Sequence, residues 1–271
     1  MQSPLIKSDR ILPITRWVAA FVVPFLLAAF IILYLIPSQS GRWFAWDVNP
    51  NMTDMFMGAG YLGGAYLFLN VIFGRRWHRV SPGFLPVTAF TVWMLLATII
   101  HRDRFDILHL PFLIWLILYI TTPIIVPLVW FLNRRADPAE LDQADKIVPS
   151  PVRWILRIQG VLLLVSAVTG FISPASLMAI WPWTLSALTA RVMAGWFALL
   201  GVGGIRISLD ARWSAWQVGL VSIALWHALV LLAALLNREE FSSAGVINWY
   251  TASVALVLLG MIGLTLWMKN R

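Results

Sequence analysis

Three charged residues stand out because they lie in or beside stretches that are otherwise apolar. Asp47 and Asp54 lie near the start of one such stretch, and Arg191 lies about two turns inside another. A charge inside a bilayer is costly, so it faces a protein interior or an opposite charge and often marks a binding site. We therefore predict that Asp54 and Arg191 pair. The alternative is that Arg191 extends toward lipid headgroups while Asp54 stabilises the start of its helix.

The histidines are the next candidates for chemistry. His227 lies inside an apolar stretch, whereas His101 and His109 lie at the ends of two others. A buried histidine ligates a metal or haem, relays a proton or makes a simple hydrogen bond, and the hydrogen bond is the most frequent role. A haem or metal at His227, His101 or His109 stays open at this point, and the cofactor is otherwise unknown.

Known catalytic motifs give no further guidance. The segment from His101 to His109 contains a His-Arg-Asp triplet, but no glycine-rich loop or Asp-Phe-Gly accompanies it, and the triplet is treated as chance. Walker, dinucleotide, HExxH and GxSxG patterns are absent from the sequence. The four acids Asp103, Asp106, Glu239 and Glu240 are expected to be solvated on the outer surface, and the alternative is that they bind a cation there.

The composition is that of a membrane protein. Of the 271 residues, 60% are hydrophobic and 12% are charged, about half the charge of a soluble chain. The apolar runs are continuous and about 20 residues long, which indicates spanning helices and excludes a transmembrane barrel. The net charge of +8 does not indicate a nucleic-acid partner, because the basic residues lie at span ends. With no cysteine, thiol chemistry and disulfides are excluded.

The apolar runs predict an all-α polytopic membrane protein with eight spanning helices. The first apolar run is too long for a signal peptide and is kept as a span. Pro24, Pro123 and Pro127 are expected to bend their helices. The predicted spans are residues 14–36, 52–73, 84–100, 107–132, 152–172, 184–207, 213–236 and 246–268.

The distribution of basic residues predicts the orientation. Alternate connections receive 15 Lys and Arg on one side and 4 on the other. The side rich in positive charge is normally cytoplasmic. We therefore expect the cell (inner) membrane, with the N- and C-termini in the cytoplasm.

The chain contains an internal repeat. At an offset of 137 residues Trp46 falls on Trp183 and Gly58 on Gly195, while at 136 residues Arg76-Trp77 falls on Arg212-Trp213. Four aligned tryptophan pairs exceed chance, and four spans return the chain to its starting side. The sequence thus predicts two parallel four-helix repeats, residues 1–136 and 152–271, related by a pseudo-twofold axis along the membrane normal. Asp54 and Arg191 are equivalent positions in these repeats.

Glycines of the second and sixth spans predict that these two helices pack closely in the interior. Whether those glycines contact the other half or only their own half is left open. The linker of residues 137–151 is predicted to be cytoplasmic. Its Asp137-Pro138-Ala139-Glu140 sequence favours a short helix.

Two functions from different classes follow, with an enzyme ranked third. In the first, the protein binds or transports a small lipophilic or ionic ligand in an outward-opening cavity between the repeats. The residues expected to bind this ligand are Asp47, Asp54, Arg191, His227, Trp46 and Trp183.

In the second, the protein is a non-catalytic accessory or scaffold subunit of a larger membrane complex. This interpretation depends on the lack of soluble domains and of intramembrane polar groups. The third is an outer-leaflet lipid-modifying enzyme using His101, His109 and the nearby acids. The expected partners are the lipid bilayer, other membrane subunits or a second copy, and no nucleic acid.

Overall fold

The computed structural model describes residues 8–142 and 144–271. Within these ranges the regular structure is helical, without strands. Eight helices are long and apolar enough to cross a membrane. They are α1 (Pro13–Phe30, continued by a π-helical turn at Ile31–Leu35), α2 (Asn51–Phe73), α3 (Phe84–Ile100), α4 (Leu110–Asn133), α5 (Ser150–Ile172), α6 (Ala187–Ser208), α7 (Trp213–Leu236) and α8 (Ala244–Asn270).

Short helices and turns connect the spans. Two are α-helical, at Ser40–Trp43 and Pro174–Ile180. The others are 3-10 turns at Pro37–Gln39, Trp77–Arg79, Ser81–Gly83, Arg102–Arg104, Arg134–Ala136 and Arg238–Glu240.

The helix starts follow local rules. Proline occupies the first turn of α1, α4 and α5, where its missing N–H costs nothing. Ser186 and Ser243 cap α6 and α8 by accepting hydrogen bonds from Thr189 N and Val246 N. The start of α2 has no cap from its own N-cap residue, Pro50.

The connections gather at two ends of the bundle. One end, which we call the terminal side, carries residues 8–12, 74–83, 133–142, 144–149 and 208–213 and the end of α8. Hydrogen bonds hold this end together, among them Asp9 N to Ala136 O and Lys146 Nζ to Met268 O. The opposite end, the loop side, carries residues 36–50, 101–109, 173–186 and 237–243.

Helices α2 and α6 form the interior of the bundle. In each, 61% of the most apolar stretch is buried, a larger share than in the other six spans. Helix α2 packs between α1 and α7, and α6 packs between α5 and α3. The chain halves are therefore interleaved, because each inner helix contacts both its own half and the other.

Glycines of α2 and α6 allow close contacts both within their own half and with the other half, the two alternatives that the sequence left open. A Cβ on Gly201 would lie 2.9 Å from Gly160 O of the same half. A Cβ on Gly60 would lie 2.5 Å from the ring of Trp196 in the other half. Close approach within a half and between halves both depend on glycine.

The prediction of a short helix after residue 136 is wrong. The described residues 137–142 are irregular, and Ala139 has a left-handed φ of 59°. The Asp137 carboxylate accepts from Ala139 N, and Arg212 Nη1 binds it at 2.7 Å. This side chain thus ties the linker to the second half instead of starting a helix.

Candidate functional site

Asp54 and Arg191 do not form the predicted ion pair. Asp54 is completely buried, and neither carboxylate oxygen has a hydrogen-bond partner among the described residues. Arg191 donates instead to His101 Nε2 at 2.7 Å and to Phe171 O at 3.0 Å. Each inner helix packs against an outer helix of the other half, so the two charges face different neighbours.

The contact of Arg191 fixes the state of His101. A guanidinium only donates hydrogen bonds, so His101 Nε2 accepts one. This nitrogen therefore carries no proton, and the imidazole ring is neutral. Burial, together with the positive charge of Arg191, lowers the pKa of His101 below its ordinary value. The carbonyl of Phe171 lies at the end of α5, where a positive charge is stabilised by the helix dipole.

The other predicted site residues on the loop side have structural contacts. Asp47 is exposed and accepts a hydrogen bond from Asn49. Trp183 Nε1 donates to Thr53 Oγ1 at 2.8 Å, across the halves. Trp46 packs edge-on against Trp115, with ring centroids 5.1 Å apart.

Glu240 is a residue whose role the sequence analysis missed. Its carboxylate accepts hydrogen bonds from Asn51 N and Met52 N, at 3.1 and 2.7 Å. It therefore caps the positive end of α2 from the other half. The expectation that Glu240 is solvated is wrong, because its carboxylate binds these two N–H groups. The sequence could not predict the contact, since Glu240 lies 188 positions from Met52 along the chain.

A large apolar cavity lies between the halves. Its volume is about 1320 Å³, and residues of all eight spans line it. No acidic residue lines it within the described chain, and its charged lining residues are Arg42 and Arg79. Arg42 lies on the loop side and Arg79 on the terminal side, so the lining extends from one end of the bundle to the other.

Of the six residues predicted to bind the ligand, only His227 lines this cavity, and His109, considered as a cofactor ligand, also lines it. The Nδ1 atom of His227 lies 2.8 Å from Ile223 O, one turn earlier in α7. A carbonyl oxygen only accepts, so Nδ1 carries the proton. The residues that do not line the cavity are Asp47, Asp54, Arg191, Trp46 and Trp183.

A tyrosine pair is a further polar feature of the cavity lining. The hydroxyls of Tyr61 and Tyr119 lie 3.1 Å apart, and both residues are buried. Tyr61 also packs on the ring of Trp196, with centroids 5.3 Å apart. The absence of a Cβ on Gly60 makes room for that tryptophan ring. Aromatic and glycine residues of this kind resemble ordinary core residues in the sequence.

A hydrogen-bond chain with a buried centre joins the halves on the terminal side. Asp9 Oδ2 lies 2.6 Å from His78 Nδ1, and His78 Nε2 lies 2.8 Å from Ser214 Oγ. Ser214 Oγ in turn donates to Asp145. Each aspartate also accepts from the backbone N–H of its neighbour, His78 N or Ser214 N, at 3.0 Å.

The order Asp-His-Ser resembles a catalytic triad. The direction in which the serine hydroxyl donates its proton, however, favours a structural role. Ser214 gives its only hydroxyl proton to Asp145, so the hydroxyl cannot also donate to His78. Ser214 is therefore not activated as a nucleophile. His78 was placed in a basic cytoplasmic loop by the sequence, and its buried contacts were not predicted.

The histidines considered as cofactor ligands all make hydrogen bonds. His101 accepts from Arg191, His109 Nε2 donates to Phe44 O at 2.8 Å, and His227 bonds its own helix. Residues 8–142 and 144–271 contain no group of three or more His, Cys, Asp or Glu arranged to hold a metal ion.

Comparison with protein-family models, curated proteins and solved structures gave no match for this chain. The functional conclusion therefore depends on the geometry of the site.

Proposed function

We propose that the protein consists of two parallel four-helix repeats related by a pseudo-twofold axis along the membrane normal. Side-chain contacts that recur at the offsets of the sequence repeat support this. Arg16 binds Gly74 O and Ile72 O at the end of α2, and its equivalent Arg153 binds Ser208 O at the end of α6.

Ring contacts recur in the same way. The centroids of Trp46 and Phe105 lie 5.8 Å apart, and those of Trp183 and Phe241 lie 5.3 Å apart. The second pair is the first displaced by 137 and 136 residues. Helix packing agrees with the proposed repeat. The packing of α2 against α7 corresponds, when the two halves are exchanged, to the packing of α6 against α3.

The terminal-side chain gives further support. His78 and Ser214 are equivalent at an offset of 136, and an aspartate binds each of them, Asp9 at His78 and Asp145 at Ser214. Equivalent residues contact each other when they lie at a twofold axis. The 2.8 Å contact between His78 and Ser214 supports a proposed axis that passes between these two side chains.

We propose that the protein binds a small lipophilic ligand in the cavity between the repeats. The cavity of about 1320 Å³ carries this proposal. Its size and apolar walls suit a hydrocarbon-rich molecule, whereas an ionic ligand would need more charged or polar groups. Transport is a further step that would use the same cavity. The basic residues favour a cell (inner) membrane location with the terminal side in the cytoplasm.

A matched pair of glycines on α8 tests ligand binding. Gly260 lines the cavity, Gly263 does not, and a Cβ at either position meets nothing within 4 Å. Gly260→Phe would place a ring in the cavity, while Gly263→Phe adds the same ring to the same helix elsewhere. Native mass spectrometry of protein purified in mild detergent should detect a retained lipophile in wild type and Gly263→Phe, and less in Gly260→Phe. Equal retention in all three would contradict the proposal.

The alternative of an accessory subunit is favoured by one observation. Only 6% of the most apolar stretch of α8 and 17% of that of α5 are buried in this chain. Such exposed helices suit a protein neighbour as well as lipid. Purification in mild detergent would show a stoichiometric partner or a second copy if this alternative is correct, and a monomer without one if it is not.

A further inference from the structure

Three of the polar groups that line the cavity, Tyr61, Tyr119 and His227, lie at a similar depth, and this restricts the ligand proposed above. Tyr61 is ten residues from the loop-side end of α2, and Tyr119 and His227 are each nine residues from the loop-side ends of α4 and α7. At 1.5 Å per residue these distances are about 14 to 15 Å. Three groups capable of hydrogen bonding therefore lie near the middle of the apolar layer, on one cavity.

His227 offers an acceptor. Its Nδ1 donates to Ile223 O, and no acidic residue of the described chain lines the cavity to pair with an imidazolium. The ring is therefore neutral, with a lone pair on Nε2. Within residues 8–142 and 144–271, Nε2 has no hydrogen-bond partner.

The tyrosine pair offers a donor. One hydroxyl proton is used between Tyr61 and Tyr119, and the second is unused in the described chain. An unused donor and an unused acceptor in an apolar site each cost free energy unless a ligand or water satisfies them.

The walls between these groups are aromatic. Ring contacts lead from Tyr61 to Trp196 at 5.3 Å, from Trp196 to Trp226 at 4.9 Å, and from Trp226 to His227 at 6.2 Å. These rings come from α2, α6 and α7, so both halves contribute. Aromatic walls favour a flat ring through stacked or edge-on contacts.

We propose that the ligand is a lipophile whose ring carries a hydroxyl group that donates to His227 Nε2 and a second oxygen that accepts from the tyrosine pair. Isoprenoid hydroquinones have this chemistry. This inference rests on the proposed binding of a lipophile. It adds that the ligand is recognised by hydrogen bonds in the middle of the bilayer.

The test compares an alkylated hydroquinone with its dimethyl ether under anaerobic conditions. The ether keeps both oxygens and the apolar surface but lacks both hydroxyl protons. Binding to the full-length protein in detergent is measured by equilibrium dialysis for wild type and His227→Phe, which keeps a flat ring but removes the acceptor. Wild type should prefer the hydroquinone about tenfold, as expected for one hydrogen bond in an apolar site. His227→Phe should bind both compounds with the affinity of the ether.

The outcomes separate this inference from the proposed function. Equal affinity of wild type for both compounds would overturn the inference and leave lipophile binding intact. A preference that persists in His227→Phe would overturn the role of His227. Failure of wild type to bind either compound, with no lipophile retained on purification, would overturn both proposals. Binding of the ether by His227→Phe shows that the variant is folded.

Discussion

At the scale of residues, a buried polar group is expected to make a hydrogen bond within the protein or to a ligand. Arg191 donates hydrogen bonds to a carbonyl and to a neutral histidine, and Glu240 accepts hydrogen bonds from the free N–H groups at the start of α2. Asp54 is an exception, since its buried carboxyl has no partner in the described chain, and the buried ring N–H groups of Trp46, Trp93, Trp181 and Trp196 also lack one there. Such contacts decide which polar groups are left for a ligand.

The contact between Arg191 and His101 predicts a pH dependence. Because burial and Arg191 lower the pKa of His101, the unfolded chain binds this proton at a higher pH than the folded protein. The contribution of this group to stability is therefore complete above about pH 6.5 and decreases as the pH falls toward the lowered pKa.

His101→Gln retains an acceptor for Arg191 but does not titrate in this range. The melting temperature in detergent should fall between pH 7.5 and 5.5 by less in this variant than in wild type. Equal decreases would show that His101 does not contribute to the acid sensitivity.

The candidate site could be predicted only in part at this scale. Charges in apolar stretches are visible in a sequence, which is why Asp54 and Arg191 were singled out. The cavity depends on distances between helices, and residues such as Tyr61 and Trp196 look like ordinary core residues. Of the six residues predicted to bind the ligand, His227 alone is part of the cavity lining.

At the scale of elements, hydrophobic runs were sufficient to predict all eight spanning helices. The ends differ by a few residues; for example, α6 begins at Ala187 rather than at residue 184. The short helices Ser40–Trp43 and Pro174–Ile180 were missed because they are too short to show a hydrophobic period. The helix predicted after residue 136 failed because Asp137 binds Arg212 from a distant part of the chain.

Gly64 and Gly201, which the proposed repeat makes equivalent, should respond differently to the same substitution. A Cβ on Gly201 would lie 2.8 Å from Leu164 N of α5, whereas one on Gly64 would lie 3.6 Å from the end of the Leu26 side chain. Gly201→Ala should therefore destabilise the protein by about 1 to 3 kcal/mol, because the backbone of α5 would have to shift to make room for the methyl group. Gly64→Ala should be neutral or stabilise by up to about 1 kcal/mol through helix propensity.

Thermal and denaturant unfolding in detergent would measure both variants. A loss of stability in Gly64→Ala as large as that in Gly201→Ala would contradict the packing described for α1 with α2 and α5 with α6.

At the scale of the whole molecule, the two halves are joined by different chemistry at each end. On the loop side Glu240 caps α2, and Arg191 binds His101. On the terminal side the chain from Asp9 to Asp145 crosses between His78 and Ser214. The proposed repeat makes His78 and Ser214 equivalent. It did not predict that these two side chains would touch, because this requires the position of the axis.

Exchange of the two residues at the proposed axis tests the symmetry. His78→Ser and Ser214→His should each lower the melting temperature, because the first leaves a gap between two serines and the second crowds two imidazoles. The double variant His78→Ser/Ser214→His should recover much of the loss, since Asp145 would then hold the histidine as Asp9 does in wild type. Losses that simply add would contradict a twofold relationship at this point.

The central claim is that the cavity between the halves holds a lipophilic ligand. The most direct measurement is an experimental density map of the protein in a lipid environment, isolated without exchange into harsh detergent. We predict elongated density inside the cavity, bordered by Trp196, Trp226 and His227, with its polar part at the level of Tyr61 and Tyr119. A cavity closed by movement of α2 and α6, or filled only by ordered water, would contradict the claim.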